Sequence, residues 1–375
     1  MHIGIDATAL PQKPVGAGTY IIQLIRALTE LDTEFEFTIF AQPHGQSLIN
    51  APQKSNIRWS ISGGKSPPLR LVWEQTVLPW LTRNLQIDLL HSLHYTRPLL
   101  LPCASVVTFH DMTFFLYPRL HTRMKRIFFP MAIRLSARLA DGLIAVSEQT
   151  RQDALRILHL PPERITTVAH GISPAFHPIS DSIALEDIRR KYRLPKKFIL
   201  FVGAVEPRKN LPLLLKAYRR LADRDIPEHL VIAGPLGWMY DDMLLMIKQL
   251  GIQDRVLFTG YVPAEDLPRV YNLARVFVYP SLYEGFGLPP LEAMACGVPV
   301  VTTGVSAMLE TVGEAAVLVP PQDEQALVEA LLSVLEDDSL RQNLALAGPI
   351  QAAKYSWKNS ALATIEVYRR TLSLP

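Results

Sequence analysis

Apolar residues along the first half of the chain alternate between short continuous runs and longer stretches with helical spacing. Short apolar runs bounded by Gly, Pro or polar residues predict buried strands, and apolar positions three and four residues apart predict amphipathic helices. The predicted strands are His2–Asp6, Phe35–Phe40, Ile57–Ser60, Leu89–Ser92, Ser105–Phe109, Gly142–Ala145 and Ile165–Val168. The predicted helices are Thr19–Leu31, Trp73–Asn84, Thr122–Ala140 and Glu148–Leu158. This alternation indicates a parallel-sheet α/β domain.

The same alternation starts again at Phe198, after a passage from Gly171 to Leu194 that contains prolines and a charged helix. The second set of strands is Phe198–Gly203, His229–Ala233, Val256–Gly260, Val276–Tyr279, Val298–Thr302 and Ala316–Val319. The helices between and after them are Asn210–Arg224, Asp241–Leu250, Glu265–Ala274, Asp323–Asp337 and the tail helix Trp357–Leu372. The chain is therefore expected to form two Rossmann-like parallel-sheet domains, residues 1–178 and 179–356, facing across a ligand cleft at the carboxyl ends of their strands.

Composition narrows the function classes. The 375 residues exceed one typical core, and 49% hydrophobic residues indicate a folded globular chain. A net charge of +3 argues against nucleic-acid binding. Cys103 and Cys296 lie far apart in apolar surroundings, which favours reduced, buried thiols in a cytoplasmic protein and fits no metal-binding spacing. We predict neither a signal peptide nor a membrane-spanning segment.

The most informative stretch runs from Tyr283 to Val301 and reads YEGFGLPPLEAMACGVPVV. It follows a predicted strand, and it sets Glu284 and Glu292 on either side of a glycine-bearing turn, with Glu292 expected at the start of an apolar helix. Such a loop presents backbone N–H groups and the positive end of the helix dipole to hydroxyl or phosphate oxygens. A carboxylate can accept two hydrogen bonds from a diol, so Glu284 and Glu292 together could hold two sugar rings. The alternative is a loop carboxylate and a helix-terminal carboxylate with no ligand.

Three further candidates follow strands. Arg208 and Lys209 come after Phe198–Gly203, where fixed cations can stabilise negative charge on a ligand; adjacent cations are otherwise usually a solvated surface. Gly16 and Gly18 follow the first strand and would let backbone amides approach a ligand, or they form an ordinary loop before an N-cap at Thr19. His110 ends the strand Ser105–Phe109, where a histidine is often only structural; Asp111 beside it is a helix cap or orients His110.

The segment 119–138 is basic and amphipathic. It contains Arg119, Arg123, Lys125, Arg126, Arg134 and Arg138, with no acidic residue before Asp141, and apolar residues are interleaved. One interpretation is a core-packed helix with a basic solvent face. The other is an interfacial helix that meets anionic lipid headgroups, which would make an anionic membrane surface a partner and the protein peripheral on the inner face of the membrane.

Taken together, these motifs resemble the glycosyltransferases of the GT-B architecture, specifically the retaining family-4 group. The resemblance covers essentially the whole chain. It is carried by the 283–301 stretch and by Phe201–Asn210 (FVGAVEPRKN), Ile232–Gly234, Phe258–Val262, Gly16–Tyr20 and Thr108–Asp111. It implies that the tail helix, residues 357–375, packs back on the first domain, with Trp357 as an apolar anchor.

The resemblance also implies roles for the candidate residues. Glu292 would hold the ribose hydroxyls of a nucleotide, beside Tyr261 and Val262 near the base. Glu284 would contact the C3 or C4 hydroxyl of the donor sugar, and His110 its 6-hydroxyl. Backbone amides would face the sugar and phosphates at Gly285, Phe286, Gly287 and Leu288, and Gly16 and Gly18 would face the diphosphate and acceptor. Lys209 directly follows Arg208 here, whereas many relatives place the lysine later, so which of the two reaches the β-phosphate stays open. His170 stands where the family usually has Asn.

The implied activity is a retaining, metal-independent transfer of a hexose from a nucleotide-diphosphate sugar to a saccharide or lipid-linked acceptor, with no cofactor and no metal site. The run Thr108–Pro118 resembles bacterial polysaccharide mannosyltransferases, which makes GDP-mannose the first expectation for the donor. UDP- and ADP-linked glucose are alternatives. A non-catalytic nucleotide-sugar-binding protein is an alternative of another class, but it would be expected to have lost Glu284, Arg208 or Lys209.

Overall fold

The computed structural model describes residues 1–52, 54–61, 63, 66–237 and 240–373. Contacts divide the chain into two compact units, which we call unit 1 (Met1–Gly171 with Ser356–Pro375) and unit 2 (Ile172–Tyr355). The sequence places the first crossing after residue 178, and the structure places it after Gly171. Residues 374–375 of the predicted tail helix lie outside the described residues.

Unit 1 is built on a parallel sheet of seven strands within the described residues, in the order β3-β2-β1-β4-β5-β6-β7. The strands are β1 (His2–Asp6), β2 (Glu36–Ala41), β3 (Ile57–Ile61), β4 (Leu89–Ser92), β5 (Ala104–Phe109), β6 (Gly142–Ala145) and β7 (Ile165–Thr167). The helices are α1 (Ala17–Glu30), α2 (Pro43–Ile49), α3 (Pro67–Asn84), α4 (Thr113–Leu116), α5 (Arg123–Leu139), α6 (Glu148–Leu158) and, from the tail, α15 (Trp357–Ser373). Strands β4 and β6 are buried at every position, as expected of parallel strands covered by helices on both faces.

The tail helix α15 completes the core of unit 1 by packing against α1 and β5. Buried Tyr368 brings its hydroxyl 2.6 Å from Nδ1 of His91, and Nε2 of His91 is 2.8 Å from the hydroxyl of Thr108. Burial, with a smaller effect of nearby His110, lowers the pKa of His91 to about 3, so this imidazole is neutral and structural. Gly142 allows the close packing, because a Cβ there would lie 2.8 Å from Oγ1 of Thr371.

Unit 2 is a second parallel sheet, with six strands in the order β10-β9-β8-β11-β12-β13 in the part of the chain that the structure describes. The strands are β8 (Phe198–Val202), β9 (His229–Ala233), β10 (Val256–Gly260), β11 (Val276–Tyr279), β12 (Val300–Thr303) and β13 (Val317–Val319). The helices are α7 (Ser182–Tyr192), α8 (Leu211–Ala222), α9 (Tyr240–Leu250), α10 (Leu267–Asn272), α11 (Leu288–Ala295), α12 (Met308–Val312), α13 (Glu324–Glu336) and α14 (Asp338–Ala352). Both sheets confirm the predicted α/β class.

Several elements differ from the prediction. Helices α2 and α14 were not predicted. Helix α2 contains Pro and Gly, which are usually read as loop residues. Helix α14 buries the small residues Gly348 and Ala352, so it lacks the stripe of larger apolar residues by which an amphipathic helix is recognised. Helix α3 begins at Pro67, earlier than predicted, since proline is well tolerated in the first turn of a helix. Both cysteines are free, but only Cys296 is buried; Cys103 is half-buried.

Candidate active site

The strand order of unit 2 creates a reversal point between β8 and β11. From β8 the chain proceeds to β9 and β10 on one side, and from β11 it proceeds to β12 and β13 on the other. In open parallel sheets, ligands bind outside the carboxyl ends of the strands at such a point. Arg208 and Lys209 follow β8 in a short 3₁₀ turn, and Glu284 follows β11. The fold therefore brings these three predicted residues to one place.

Glu284 lies between the two cations. Its Oε2 is 2.6 Å from Nη1 of Arg208, and its Oε1 is 2.7 Å from Nζ of Lys209. Lys209 also donates a hydrogen bond to the hydroxyl of Tyr279, the last residue of β11. The side chains of Glu284 and Lys209 are only 8% and 9% exposed, so these are nearly desolvated ion pairs. The sequence predicts that Glu284 and the two cations each contact a different part of a ligand. It does not predict the ion pairs that the structure shows between them.

The charges in this cluster are fixed by their neighbours. Burial alone would raise the pKa of Glu284, but the charges of Arg208 and Lys209 and their hydrogen bonds lower it to about 2. Burial, reinforced by Arg208 and opposed by Glu284, lowers the pKa of Lys209. Glu284 is consequently an ionised acceptor at neutral pH. With both cations protonated the cluster carries one net positive charge, which suits a ligand with phosphate and hydroxyl oxygens.

The backbone of the loop 283–288 is held tightly beside this cluster. Arg208 donates from Nη1 to the carbonyl of Tyr283 at 3.0 Å. Gly287 has φ +103, a backbone conformation that glycine adopts readily and that strains other residues. The next helix, α11, begins at Leu288 and carries Pro289 and Pro290 in its first turn. Because prolines lack an N–H, amide donors at this helix terminus can come only from Leu288 and the residues before it.

Glu292 does not lie at the start of a helix, and that prediction was wrong. Helix α11 starts at Leu288, so Glu292 lies in its second turn, where the buried carboxylate accepts a hydrogen bond from the hydroxyl of Tyr271 at 2.9 Å. Burial raises the pKa of Glu292 to about 7, and the Tyr271 hydrogen bond only partly opposes this. The helix dipole, which stabilises carboxylates in the first turn, therefore does not explain why an acidic residue stands at position 292. Tyr271, on α10, carried no sequence signal.

Tyr261 and Val262 directly follow β10, at the carboxyl end of the strand that forms one edge of the unit 2 sheet. Val262 is buried and Tyr261 is half-buried. Their predicted place beside a nucleotide base stays a prediction.

In unit 1, the glycine segment differs from the expected loop. Gly16 has φ +53 and open space where a Cβ would stand, and it is the N-cap of α1. Gly18 is inside the first turn of α1, donates its N–H to the carbonyl of Val15, and packs where a Cβ would lie 2.9 Å from Pro14. The helix thus begins two positions before the expected cap, Thr19, and Gly18 is a packing glycine rather than a flexible one. The ligand roles of both glycines stay predictions.

His110 is oriented by the backbone, because Nε2 lies 2.9 Å from the carbonyl of Leu93 and donates to it. Burial lowers its pKa, and the carbonyl of Leu93 and the charge of Asp111 oppose this. Asp111 accepts from the N–H and the hydroxyl of Thr113, at 3.0 and 2.6 Å, so its carboxylate binds the first residue of α4, whose N-cap is Met112. His170 is buried, with its ring stacked between Tyr20 and Trp357 at centroid distances of 4.9 and 5.6 Å.

Among the described residues, no three or more His, Cys, Asp or Glu side chains come together in an arrangement that could hold a metal ion. None of the helices in the described ranges has the length and hydropathy of a membrane-spanning segment.

Comparisons with known proteins agree with this architecture. The family Glycosyltransferase Family 4 matches residues 14–176, and the family Glycosyl transferases group 1 matches residues 185–350. The chain is 34% identical over 370 residues to the O-antigen chain mannosyltransferase B of Escherichia coli, covering 94% of this chain and 96% of that protein.

Solved structures share the fold. A sucrose-phosphate synthase from Thermosynechococcus elongatus superposes with a TM-score of 0.78 at 22% identity, covering 98% of each chain. HepE of Anabaena, in complex with UDP-glucose, superposes with a TM-score of 0.79 at 18% identity, covering 99% of this chain and 100% of that one.

The chain has the GT-B fold. It belongs to the group 1, family-4 glycosyltransferases, and it is a glycosyltransferase that uses a nucleotide sugar.

Proposed function

We propose that the protein is a retaining, metal-independent hexosyltransferase that moves mannose from GDP-mannose to a saccharide or lipid-linked acceptor. The observation that carries the proposal is the buried cluster of Glu284, Arg208 and Lys209 at the reversal point of the unit 2 sheet. It combines an ionised acceptor for a sugar hydroxyl with two cations for a diphosphate. The mannose assignment draws on the likeness to an O-antigen mannosyltransferase along nearly the whole chain.

The proposed step needs no acid–base side chain. The acceptor hydroxyl oxygen bonds to the anomeric carbon on the face from which the diphosphate departs, which retains the configuration. The electron pair of the breaking carbon–oxygen bond stays on the leaving oxygen of the diphosphate, and that oxygen takes the proton of the acceptor hydroxyl. Arg208 and Lys209 stabilise the charge that accumulates on the diphosphate, and Glu284 orients the sugar while its anomeric carbon becomes positive.

The donor is tested with a panel of GDP-mannose, UDP-glucose and ADP-glucose in a thermal-shift assay, followed by release of the nucleoside diphosphate with simple mannosides as acceptors. We expect GDP-mannose to give the largest increase in thermal midpoint and GDP release that persists in EDTA. Release of UDP or ADP instead of GDP would show that the protein transfers glucose and not mannose. Binding with no release from any donor would favour a non-catalytic binding protein, and loss of activity in EDTA would overturn metal independence.

We also propose that α5 of unit 1 contacts an anionic membrane, which would bring the enzyme to a lipid-linked acceptor at the cytoplasmic surface. Met124, Ile127 and Met131 form an exposed stripe on α5, 80%, 76% and 56% exposed, while Ile133 and Ala137 are buried on the opposite side of the helix. Cations are interspersed along the same helix, which is the composition of helices that lie in the headgroup region of anionic bilayers.

Helix α3 supports this surface with a second exposed apolar stripe, Leu69, Val72 and Trp80. The crossovers β3-α3-β4 and β5-α5-β6 advance across the sheet in the same direction, so right-handed connections put both helices on the same face. Arg70 on α3 and Lys125 on α5 also both contribute to lowering the pKa of His94, after the larger effects of burial and His110. Both helices therefore bring a cation near the same residue.

Sedimentation with phosphatidylglycerol vesicles and with phosphatidylcholine vesicles tests the membrane proposal. We expect binding to the anionic vesicles only, weakened by salt, and a decrease of about tenfold in partitioning for the double variant Met124→Ser/Ile127→Ser, since each substitution removes an exposed apolar side chain from the stripe. The matched control is Leu346→Ser/Ile350→Ser, which removes an equally exposed apolar pair from α14 of unit 2. Absent binding, or equal effects of the two double variants, would refute this surface.

A further inference from the structure

Ser306 has an unfavourable backbone conformation beside the candidate active site. It follows β12, and its φ of +46 lies in the left-handed region that glycine adopts readily and other residues rarely do. Ser306 lies in the turn before α12, and other non-glycine residues with positive φ in unit 2, such as Gln322 and Asp225, also lie in turns. When a strained conformation persists beside a site, the side chain is a candidate for a functional contact.

That contact is with the main chain of Glu284. The N–H of Glu284 donates to Oγ of Ser306 at 2.8 Å, and the N–H of Ala307 lies 3.5 Å from the carbonyl oxygen of Glu284. Arg208 and Lys209 already hold the carboxylate of Glu284. Both the backbone and the side chain of Glu284 are therefore fixed, and a single hydroxyl fixes its N–H.

Two threonine hydroxyls near Ser306 also contact main-chain carbonyls of the loop that contains Glu284. Oγ1 of Thr303 donates to the carbonyl of Ser281 at 2.5 Å, and Oγ1 of Thr311 lies 3.1 Å from the carbonyl of Phe286 and 2.8 Å from that of Ala307. These contacts with Ser281 and Phe286 lie before and after Glu284, whereas the bond to Ser306 is made by Glu284 itself. Of the three hydroxyls, that of Ser306 acts most directly on the position of the carboxylate.

We propose that Ser306 is a positioning residue for glycosyl transfer, acting through Glu284: its hydroxyl oxygen accepts the Glu284 N–H and holds the carboxylate where it meets the donor sugar. The inference rests on the proposed function of Glu284. A serine that served only the chain path would be replaceable by glycine at no loss, because glycine suits the left-handed conformation better. A serine that positions Glu284 would not be replaceable by glycine, because glycine has no hydroxyl oxygen to accept the N–H of Glu284.

Three variants separate these two roles. Ser306→Gly removes the hydroxyl and the strain, Ser306→Ala removes the hydroxyl and keeps the strain, and Gln322→Gly removes similar strain at an exposed loop position of the same unit, where φ is +65. We measure the thermal midpoint, kcat and KM for GDP-mannose (or for the panel member that the wild-type chain turns over), and the Kd of the corresponding nucleoside diphosphate.

For Ser306→Gly we expect a thermal midpoint above that of Ser306→Ala and a kcat/KM decreased about tenfold, the size of effect expected when one hydrogen bond that positions Glu284 is lost. The Kd of the nucleoside diphosphate should stay within about twofold, because the product lacks the sugar that Glu284 contacts. Ser306→Ala should lose the same activity with a lower midpoint, and Gln322→Gly should keep full activity.

Wild-type kcat/KM in Ser306→Gly overturns the inference, and so does an equal loss of nucleoside diphosphate binding, which would indicate a general loss of structure. Measuring Glu284→Gln in parallel distinguishes a failure of the proposed function from a failure of the role of Ser306. If that variant is also fully active, the proposed function itself fails; if it is inactive while Ser306→Gly is fully active, only the role of Ser306 fails.

Discussion

Replacing Glu284 by glutamine is expected to reduce sugar transfer at least about 100-fold while nucleoside diphosphate binding stays the same or becomes tighter. The amide has the shape of the carboxylate but no charge, so it cannot stabilise the positive charge that develops on the sugar. It also leaves Arg208 and Lys209 without the anion that lies 2.6 and 2.7 Å from them. A diphosphate would then supply the missing negative charge, which is why its affinity should not fall.

Turnover with GDP-mannose and calorimetric titration with GDP measure these two effects. The thermal midpoint should fall, since removing one partner of a buried ion pair destabilises proteins by roughly 3–5 kcal/mol, and circular dichroism would verify that the fold is kept. Glu314→Gln is the matched control, because it neutralises an exposed carboxylate of the same unit. Turnover of Glu284→Gln close to that of the control would remove Glu284 from the site.

Replacing Glu292 by glutamine is expected to stabilise the fold at alkaline pH and to weaken nucleotide binding. The pKa of Glu292 is raised from 4.5 to about 7 by burial, so the folded chain holds this proton more tightly than the unfolded chain does. Stability linked to this group is therefore complete below pH 4.5 and declines as the pH rises to about 7. Glutamine removes that decline, a gain on the order of 3 kcal/mol at pH 8 that should fall to about 1 kcal/mol at pH 5.

Nucleotide binding should change in the opposite direction. A ribose diol donates two hydrogen bonds, and only the ionised carboxylate accepts both strongly, so the affinity of the wild type for GDP should decrease as the pH falls through 7. In Glu292→Gln the Kd at pH 8 should rise between about tenfold and 100-fold and lose its pH dependence, the usual effect of losing bonds to a charged group. Thermal melts and GDP titrations from pH 5 to pH 8 measure both. Unchanged GDP affinity in the variant would show that Glu292 does not hold the ribose, and Glu314→Gln again serves as control.

Much of the fold could be predicted from the sequence because the apolar periods are strong. Strands such as His2–Asp6, Leu89–Ser92 and Val276–Tyr279 were predicted with the bounds that the structure gives. The start of α11 was mispredicted: the helix begins at Leu288, with Pro289 and Pro290 in its first turn, where proline is well tolerated. That one error shifted Glu292 from the second turn of the helix to its terminus.

The arrangement of the site could be predicted only in part. Residue types near strand ends indicated Arg208, Lys209 and Glu284, but their ion pairs depend on β8 lying beside β11, a neighbour relation between strands far apart in sequence. The partners Tyr271 and Ser306 have no motif of their own. Their importance comes from contacts with Glu292 and Glu284, which a single sequence does not contain.

The tail helix α15 makes unit 1 discontinuous, and this sets an order of assembly during synthesis. Unit 2 is one continuous segment inserted into unit 1, so every residue of unit 2 leaves the ribosome before α15 does. Until then the surfaces of α1 and β5 that α15 covers are open, and His91 lacks the Tyr368 hydroxyl 2.6 Å from its ring. A nascent chain therefore carries a complete unit 2 and an unfinished unit 1, a stage at which exposed apolar surface favours aggregation.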